Sequence, residues 1–154
     1  MLRKFTIIAL AIFALVGVQF GAMAGTNGTP DEAKAMVEKA AKLLAAEGKD
    51  KAFPAFDDSA GAFVDRDLYV FVLDKDGTTV AHGVNKALIG KSLLNVKDAD
   101  GKAFIKEILD LANSKGEGWV DYKWPNPTTK KVEAKSSYIK KVGDLVVGVG
   151  VYKG

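Results

Sequence analysis

One lysine stands where its charge has to be explained. Lys135 lies in the run Val132-Glu133-Ala134-Lys135-Ser136-Ser137-Tyr138, among small and apolar residues of strand composition. An ammonium held inside a sheet offers three donors to a small anion; on an outer face it would be only a solvated charge. The preceding strand, Trp119 to Trp124, would lie opposite or diagonal to it. Tyr122 and Trp124 there share a face with Val120 by the period of two, giving an aromatic wall and a phenolic donor. Trp119 faces the other way. Tyr138 has the opposite parity to Lys135, so both reach one pocket only through a bulge or along the sheet edge. His82, the only histidine, ends a separate strand. There it could hydrogen-bond a ligand and change charge near neutral pH, or serve as a satisfied structural histidine. Candidate ligand contacts are therefore Lys135, Tyr122, Trp124, His82, Trp119 and Tyr138. Ordinary core is the competing reading for the aromatic ones.

Other chemistries find no footing. No nucleophile and base stand at a recognisable spacing, and His82 has no identifiable carboxylate partner, so an enzyme is not expected. Cysteine is absent, which excludes disulfides, thiolate metal sites, thiol catalysis and covalent c-type haem. Asp74-Lys75-Asp76-Gly77 and Asp98-Ala99-Asp100-Gly101 begin like calcium loops, but Asn85 and Leu109 stand where the closing glutamate belongs. They read as turn and helix-cap chemistry, and neither metal nor cofactor is expected. Gly148-Val149-Gly150 lacks the third glycine and the helix of a dinucleotide fingerprint; its glycines relieve crowding against the sheet. The lysines are dispersed rather than blocked, so nucleic acid is not expected as a partner.

The elements that must position these residues can be traced along the chain. Arg3 and Lys4, an uncharged run from Phe5 to Phe20, and Ala22-Met23-Ala24 read as a secretory signal peptide, residues 1–24. Its removal takes the net charge from +3 to +1. Residues 25–154 then form one exported domain, periplasmic or secreted; an uncleaved leader would anchor it to the membrane. Thr29-Pro30-Asp31-Glu32 opens a long helix with Ala33, Met36, Val37, Ala40, Leu43 and Leu44 on one face. Lys49 to Asp67 reads as a short helical turn followed by loop, with Phe56, Asp57 and Asp58 as a conceivable rim above the pocket. Leu68 to Leu73 and Thr78 to His82 form a hairpin. Gly83 to Lys97 is apolar without one clean period, as a segment covering a pocket would be. A second helix carries Phe104, Ile105, Ile108, Leu109, Leu111 and Ala112. Three strands follow, at Trp119 to Trp124, Val132 to Val142 and Leu145 to Tyr152. They hold both tryptophans and three of the four tyrosines. The fold class is α+β: five antiparallel strands, a long N-terminal helix, and a second helix between strands two and three.

Taken together, Asp74-x-Asp76-Gly77, Ala81-His82-Gly83, Gly90-Lys91, Asp98-x-Asp100-Gly101, Gly118-Trp119-Val120-Asp121-Tyr122, Pro125-Asn126-Pro127, Lys135-Ser136-Ser137-Tyr138 and Gly148-Val149-Gly150-Val151-Tyr152 resemble the single Cache domain of the type-two class. The resemblance covers nearly all of residues 25–154. It implies a PAS-like fold with a pocket for a small extracellular ligand, often a short carboxylate, and a place in the ectodomains of chemoreceptors or histidine kinases. The chain departs from that pattern in ending at Gly154, directly after the last strand. The expectation is a free-standing periplasmic form that binds a small acid through Lys135 and Tyr122, with Trp124 and Val120 on its apolar part. It would present the ligand to a separate membrane receptor, kinase or transporter. Weak homodimerisation through the N-terminal helix is expected. A structural or protein-interaction role in the envelope, with the pocket self-filled, is the alternative. A third reading is non-covalent haem on His82.

Overall fold

The computed structural model describes residues 25–154; the leader read at 1–24 lies outside the described residues. Helix α1 runs Pro30–Glu47 and α2 Lys49–Asp57. Strands β1 (Val64–Asp65), β2 (Leu68–Asp74) and β3 (Thr79–His82) come next. Helix α3 (Phe104–Lys115) precedes β4 (Glu117–Pro125), β5 (Val132–Val142) and β6 (Leu145–Tyr152).

The start of α1 is the capping box that Thr29 and Glu32 encode. The Thr29 hydroxyl accepts from the Glu32 amide at 3.3 Å, and the Glu32 carboxylate accepts from the Thr29 amide at 2.8 Å. Ala33, Val37, Ala40, Ala41 and Leu44 are the stripe it buries. The antiparallel sheet is ordered β1-β2-β6-β5-β4, with β3 also on β2. Helices α1 and α2 cover one face, packing on Val70, Val72, Val147, Val149, Val151 and Tyr138. Helix α3 covers part of the other, against Phe71, Leu73, Val120, Tyr122, Ile139 and Val146. Successive residues of β2, β5 and β6 therefore feed two different cores, which is why these strands are buried on both sides.

Three expectations need correction. The stretch from Lys49 is a nine-residue helix rather than a turn. Pro54 suggested a break, but it removes only one helical donor, and Ala52 and Phe56 repay this by full burial. The sheet has six strands rather than five. The added β1 has only two residues, too few to show any alternation, and it pairs Val64 with Tyr69 and Asp65 with Leu68. Finally, α3 starts without a side-chain cap. The Asp98 carboxylate instead closes its own turn, accepting from the Asp100 and Lys102 amides at 3.0 and 2.8 Å. Its other oxygen takes the Lys123 amide at 3.0 Å, tying the turn to β4.

Gly148 and Gly150, two apart on β6, leave a strip of the α3 face without side chains. A Cβ on Gly148 would stand 2.3 Å from the Phe71 ring; one on Gly150 would stand 2.2 Å from Cε of Lys135. Phe71 and the lysine stem lie in the space so vacated. Gly148→Ala should cost about 1–3 kcal/mol, the usual range for overpacking, read as a lower urea midpoint with an unchanged slope.

Candidate functional site

Strand parity brings four of the six sequence-chosen residues together. Lys135 pairs directly with Tyr122 on β4 and with Tyr152 on β6. Lys135, Tyr122, Trp124 and His82 line one cavity of about 20 Å³, with Tyr69, Phe71, Thr79, Leu88, Leu93 and Phe104 among its other walls. A space of that size holds one or two waters. Leu88 and Leu93 come from the segment expected to cover the pocket. Trp119 and Tyr138 do not join them. They pair across the opposite face, ring centroids 5.2 Å apart, because no bulge interrupts β4 or β5 to reverse their parity. The Tyr138 hydroxyl is spent on Glu117 at 2.7 Å, and Trp119 is exposed. Phe56 is no rim either: it is buried under α1 on that same far face.

Lys135 is 1% exposed. Its Nζ donates to the Tyr69 hydroxyl at 2.8 Å, and the rings of Tyr69, Phe71, Tyr122 and Tyr152 have centroids 4.2–5.8 Å away. Direction propagates from there. The Tyr152 hydroxyl donates to the Pro125 carbonyl at 2.7 Å, so the 3.2 Å contact between Tyr69 and Tyr152 must use the Tyr69 proton. The Tyr69 oxygen is then free only to accept, as the lysine requires. One N–H of the ammonium is satisfied; the other two have no acceptor among the described residues. Burial pushes the Lys135 amine down to about 7, with buried Asp67 drawing it partly back up. Burial raises the phenols of Tyr69, Tyr122 and Tyr152, so all three remain neutral.

His82 is held from behind. Its Nδ1 accepts from the amides of Val84 and Asn85 at 3.3 and 3.0 Å, which puts the ring proton on Nε2. Its own amide donates to Asp57 at 2.8 Å. Burial, then Lys135, pushes its pKa to about 3, so the ring is a fixed neutral donor and not the charge switch its residue type suggested. Thr79 adds a buried hydroxyl with no partner. Outside the cavity, past Tyr69, His82, Leu88 and Trp124, a groove of about 460 Å³ opens between Val84-Asn85 and Pro125-Asn126-Pro127, with Lys130 on its rim. These four residues line both spaces and form the partition between them.

Tyr69, Phe71 and Tyr152 carry no mark of the site in the sequence because strands buried on both faces show no polar alternation, and Phe104 reads only as part of the apolar face of its helix. The usable signal was Gly148 and Gly150: two missing side chains on one face imply that something long lies across them.

A family model described as single Cache domain 2 matches residues 15–154. The chain belongs to that family. Cache domains of this kind are non-catalytic sensor domains that bind ligands, and this one is similar to several from chemotaxis proteins and kinases. A methyl-accepting chemotaxis protein structure from Vibrio parahaemolyticus superposes with a TM-score of 0.68 at 28% identity, over 79% of this chain and 86% of that one. Another, entitled as the structural basis for carboxylic acid recognition by a Cache chemosensory domain, gives 0.64 at 26% identity over the same shares, 79% and 86%. By sequence, the methyl-accepting chemotaxis protein McpP of Pseudomonas putida is 34% identical over 90 residues, 57% of this chain and 16% of its own length. The sensor histidine kinase MctS of Rhizobium johnstonii is 35% identical over 89 residues, 56% of this chain and 19% of its own. This Cache domain thus spans less than a fifth of those two relatives. No helix among the described residues is long and apolar enough to cross a membrane.

The buried amine makes a prediction about stability. Between the folded value of about 7 and the ordinary lysine value of 10.5, the unfolded chain binds a proton that the folded chain lacks, so stability rises with pH across that window. Below pH 7 the full cost is present, about 5 kcal/mol for a difference of this size. Lys135→Met should therefore be more stable than the parent in urea at pH 6, and its advantage should shrink steadily as the pH is raised to 10.

Proposed function

We propose that this Cache domain is a sensor for a small organic acid, held in the cavity by Lys135. The observation that carries this reading is the pair of unused N–H groups on a fully enclosed lysine. Such an arrangement is costly when empty, and a carboxylate supplies two acceptors and the compensating charge. The Nε2 proton of His82 adds a neutral donor, as does the Tyr122 hydroxyl with Ser137 giving the proton of their 2.8 Å hydrogen bond. Trp124, Phe71 and Phe104 offer apolar contact to a short carbon skeleton, and the enclosed volume restricts that skeleton to a few atoms. Leu88 and Trp124 would shift to admit it from the outer groove, where Lys130 attracts anions. The domain would work outside the cytoplasmic membrane, after removal of residues 1–24, and hand its ligand state to a membrane receptor, kinase or transporter. The likeness to chemotaxis and kinase sensor regions supports that role.

One observation favours a second reading. The lysine already rests on Tyr69 in a nearly filled cavity, as it would in an envelope protein that keeps the fold without a ligand. Thermal shift separates the two, because a ligand bound only by the folded state stabilises it by about 2.7 kcal/mol at a hundredfold excess over Kd. Propionate or acetate should raise Tm by several degrees and lose that effect in Lys135→Met; no response to any short acid would leave the structural reading. Acid affinity should be flat below pH 7 and fall roughly tenfold per unit above it, since the free amine must then take up a proton to bind the anion. Calorimetry in buffers of different ionisation enthalpy measures that uptake.

A further inference from the structure

We propose that Lys135 is also a covalent anchor: its amine condenses reversibly with the carbonyl of a small 2-oxo acid, forming an imine inside the cavity. This rests on the acid-binding reading of the same site and narrows the ligand class.

The geometry is that of an amine set up to react rather than to pair. Among the described residues, Nζ has one hydrogen-bond partner, the Tyr69 hydroxyl at 2.8 Å, and no carboxylate at ion-pair distance. Its walls are aromatic rings. Gly150 leaves room for the stem to lie flat along the sheet, where any Cβ would strike Cε. A lysine desolvated in an apolar pocket is the usual nucleophile toward carbonyl compounds. Burial supports the same conclusion from the proton side. With its pKa near 7, the amine is neutral in on the order of a thousandfold more molecules at pH 7 than a lysine at 10.5 would be. The charged and titratable groups around it are Asp67, His82, Tyr69, Tyr122 and Tyr152. The phenols stay protonated and His82 stays neutral, so none competes with the amine for its role.

The reaction balances without an oxidant. The Nζ lone pair adds to C2 of the 2-oxo acid as the C=O π bond opens, and the carbonyl oxygen takes a proton to give a carbinolamine. The C–O bond then breaks as C=N forms, and the oxygen leaves as water carrying the two hydrogens of the amine. The Tyr69 oxygen, which accepts from Nζ because its own proton goes to Tyr152, holds the amine in place while the two amine hydrogens pass from nitrogen to the departing oxygen. A 2-oxo acid is the matching class because its carboxylate is one bond from the reacting carbon. When nitrogen becomes an iminium, the anion remains beside it and the buried charge stays compensated. An uncharged aldehyde would leave that cation alone.

The test is reductive trapping of the purified protein with pyruvate and cyanoborohydride at pH 7, read by intact mass and peptide mapping. The expected result is one adduct per chain on Lys135, formed at least tenfold faster than on any exposed lysine, as its larger neutral fraction dictates. Excess propionate should suppress it, and Lys135→Arg should abolish it. The wild-type map and the propionate competition stand even if the arginine variant fails to fold. Propionate cannot form an imine, so its thermal shift reports acid binding alone. A propionate shift with trapping only on exposed lysines, or none, overturns the imine and leaves the acid site standing. An adduct on Lys135 without any propionate shift removes the carboxylate pairing and overturns the 2-oxo-acid assignment.

Discussion

An amine buried without an acid beside it is the constraint to which the pocket answers. Removing an ammonium from water costs more than one hydrogen bond to a phenol returns, so the fold carries Lys135 at a loss. That loss explains the arrangement around it. Tyr69 is turned to accept because Tyr152 and the Pro125 carbonyl absorb the hydroxyl protons in sequence. The aromatic rings offer their negative faces to a charge that has no ion-pair partner among the described residues and only the more distant pull of Asp67. Gly150 gives up its side chain to let the stem pass. A chain selected for stability alone would place an apolar residue here.

The two faces of the sheet divide the work that this loss creates. On one, α1 and α2 seal an aliphatic layer of Val70, Val72, Val147 and Val149, each without exposed surface. Its helix is anchored at the start by the capping box and by Asp67, whose carboxylate accepts the Gly28 amide at 2.6 Å. This side supplies stability. On the other face α3 packs over only part of the sheet, and the irregular segment with Leu88 and Leu93 closes the remainder. Loops cover more loosely than helices, which suits a site that must open. A sensor needs both: a rigid layer to hold strand register, and a covering whose position can depend on whether the pocket is occupied.

Most of the architecture was legible in the residues. Thr29-Pro30-Asp31-Glu32 marked the start of α1, and Asp74 to Gly77 marked the first hairpin, where Asp74 accepts the Asp76 and Thr78 amides at 2.9 Å. Period two placed Tyr122 and Trp124 with Val120 and set Trp119 apart. The same parity argument made the candidate Tyr138 depend on a bulge to meet Lys135, and β5 has none. What stayed hidden had no local mark. Two-residue β1 is defined only by what it pairs with, and α2 keeps its helix past Pro54 because Phe56 fits a core that lies elsewhere in the chain.

By itself, then, the sequence determined all the elements but β1 and the full length of α2, the strand faces and the presence of one cation among apolar neighbours, because these follow from spacing along a single segment. Only the tertiary structure decided what that cation means. Tyr69 lies 66 positions from Lys135, and a hydrogen bond of that span, like the burial that lowers the amine to about 7, comes from strands brought side by side. His82 shows the same division: its residue type promises titration near neutrality, and the backbone amides and burial imposed by the fold keep it neutral. Charge state depends on solvent access and on neighbours in space, and neither is a property of a residue's place in a line.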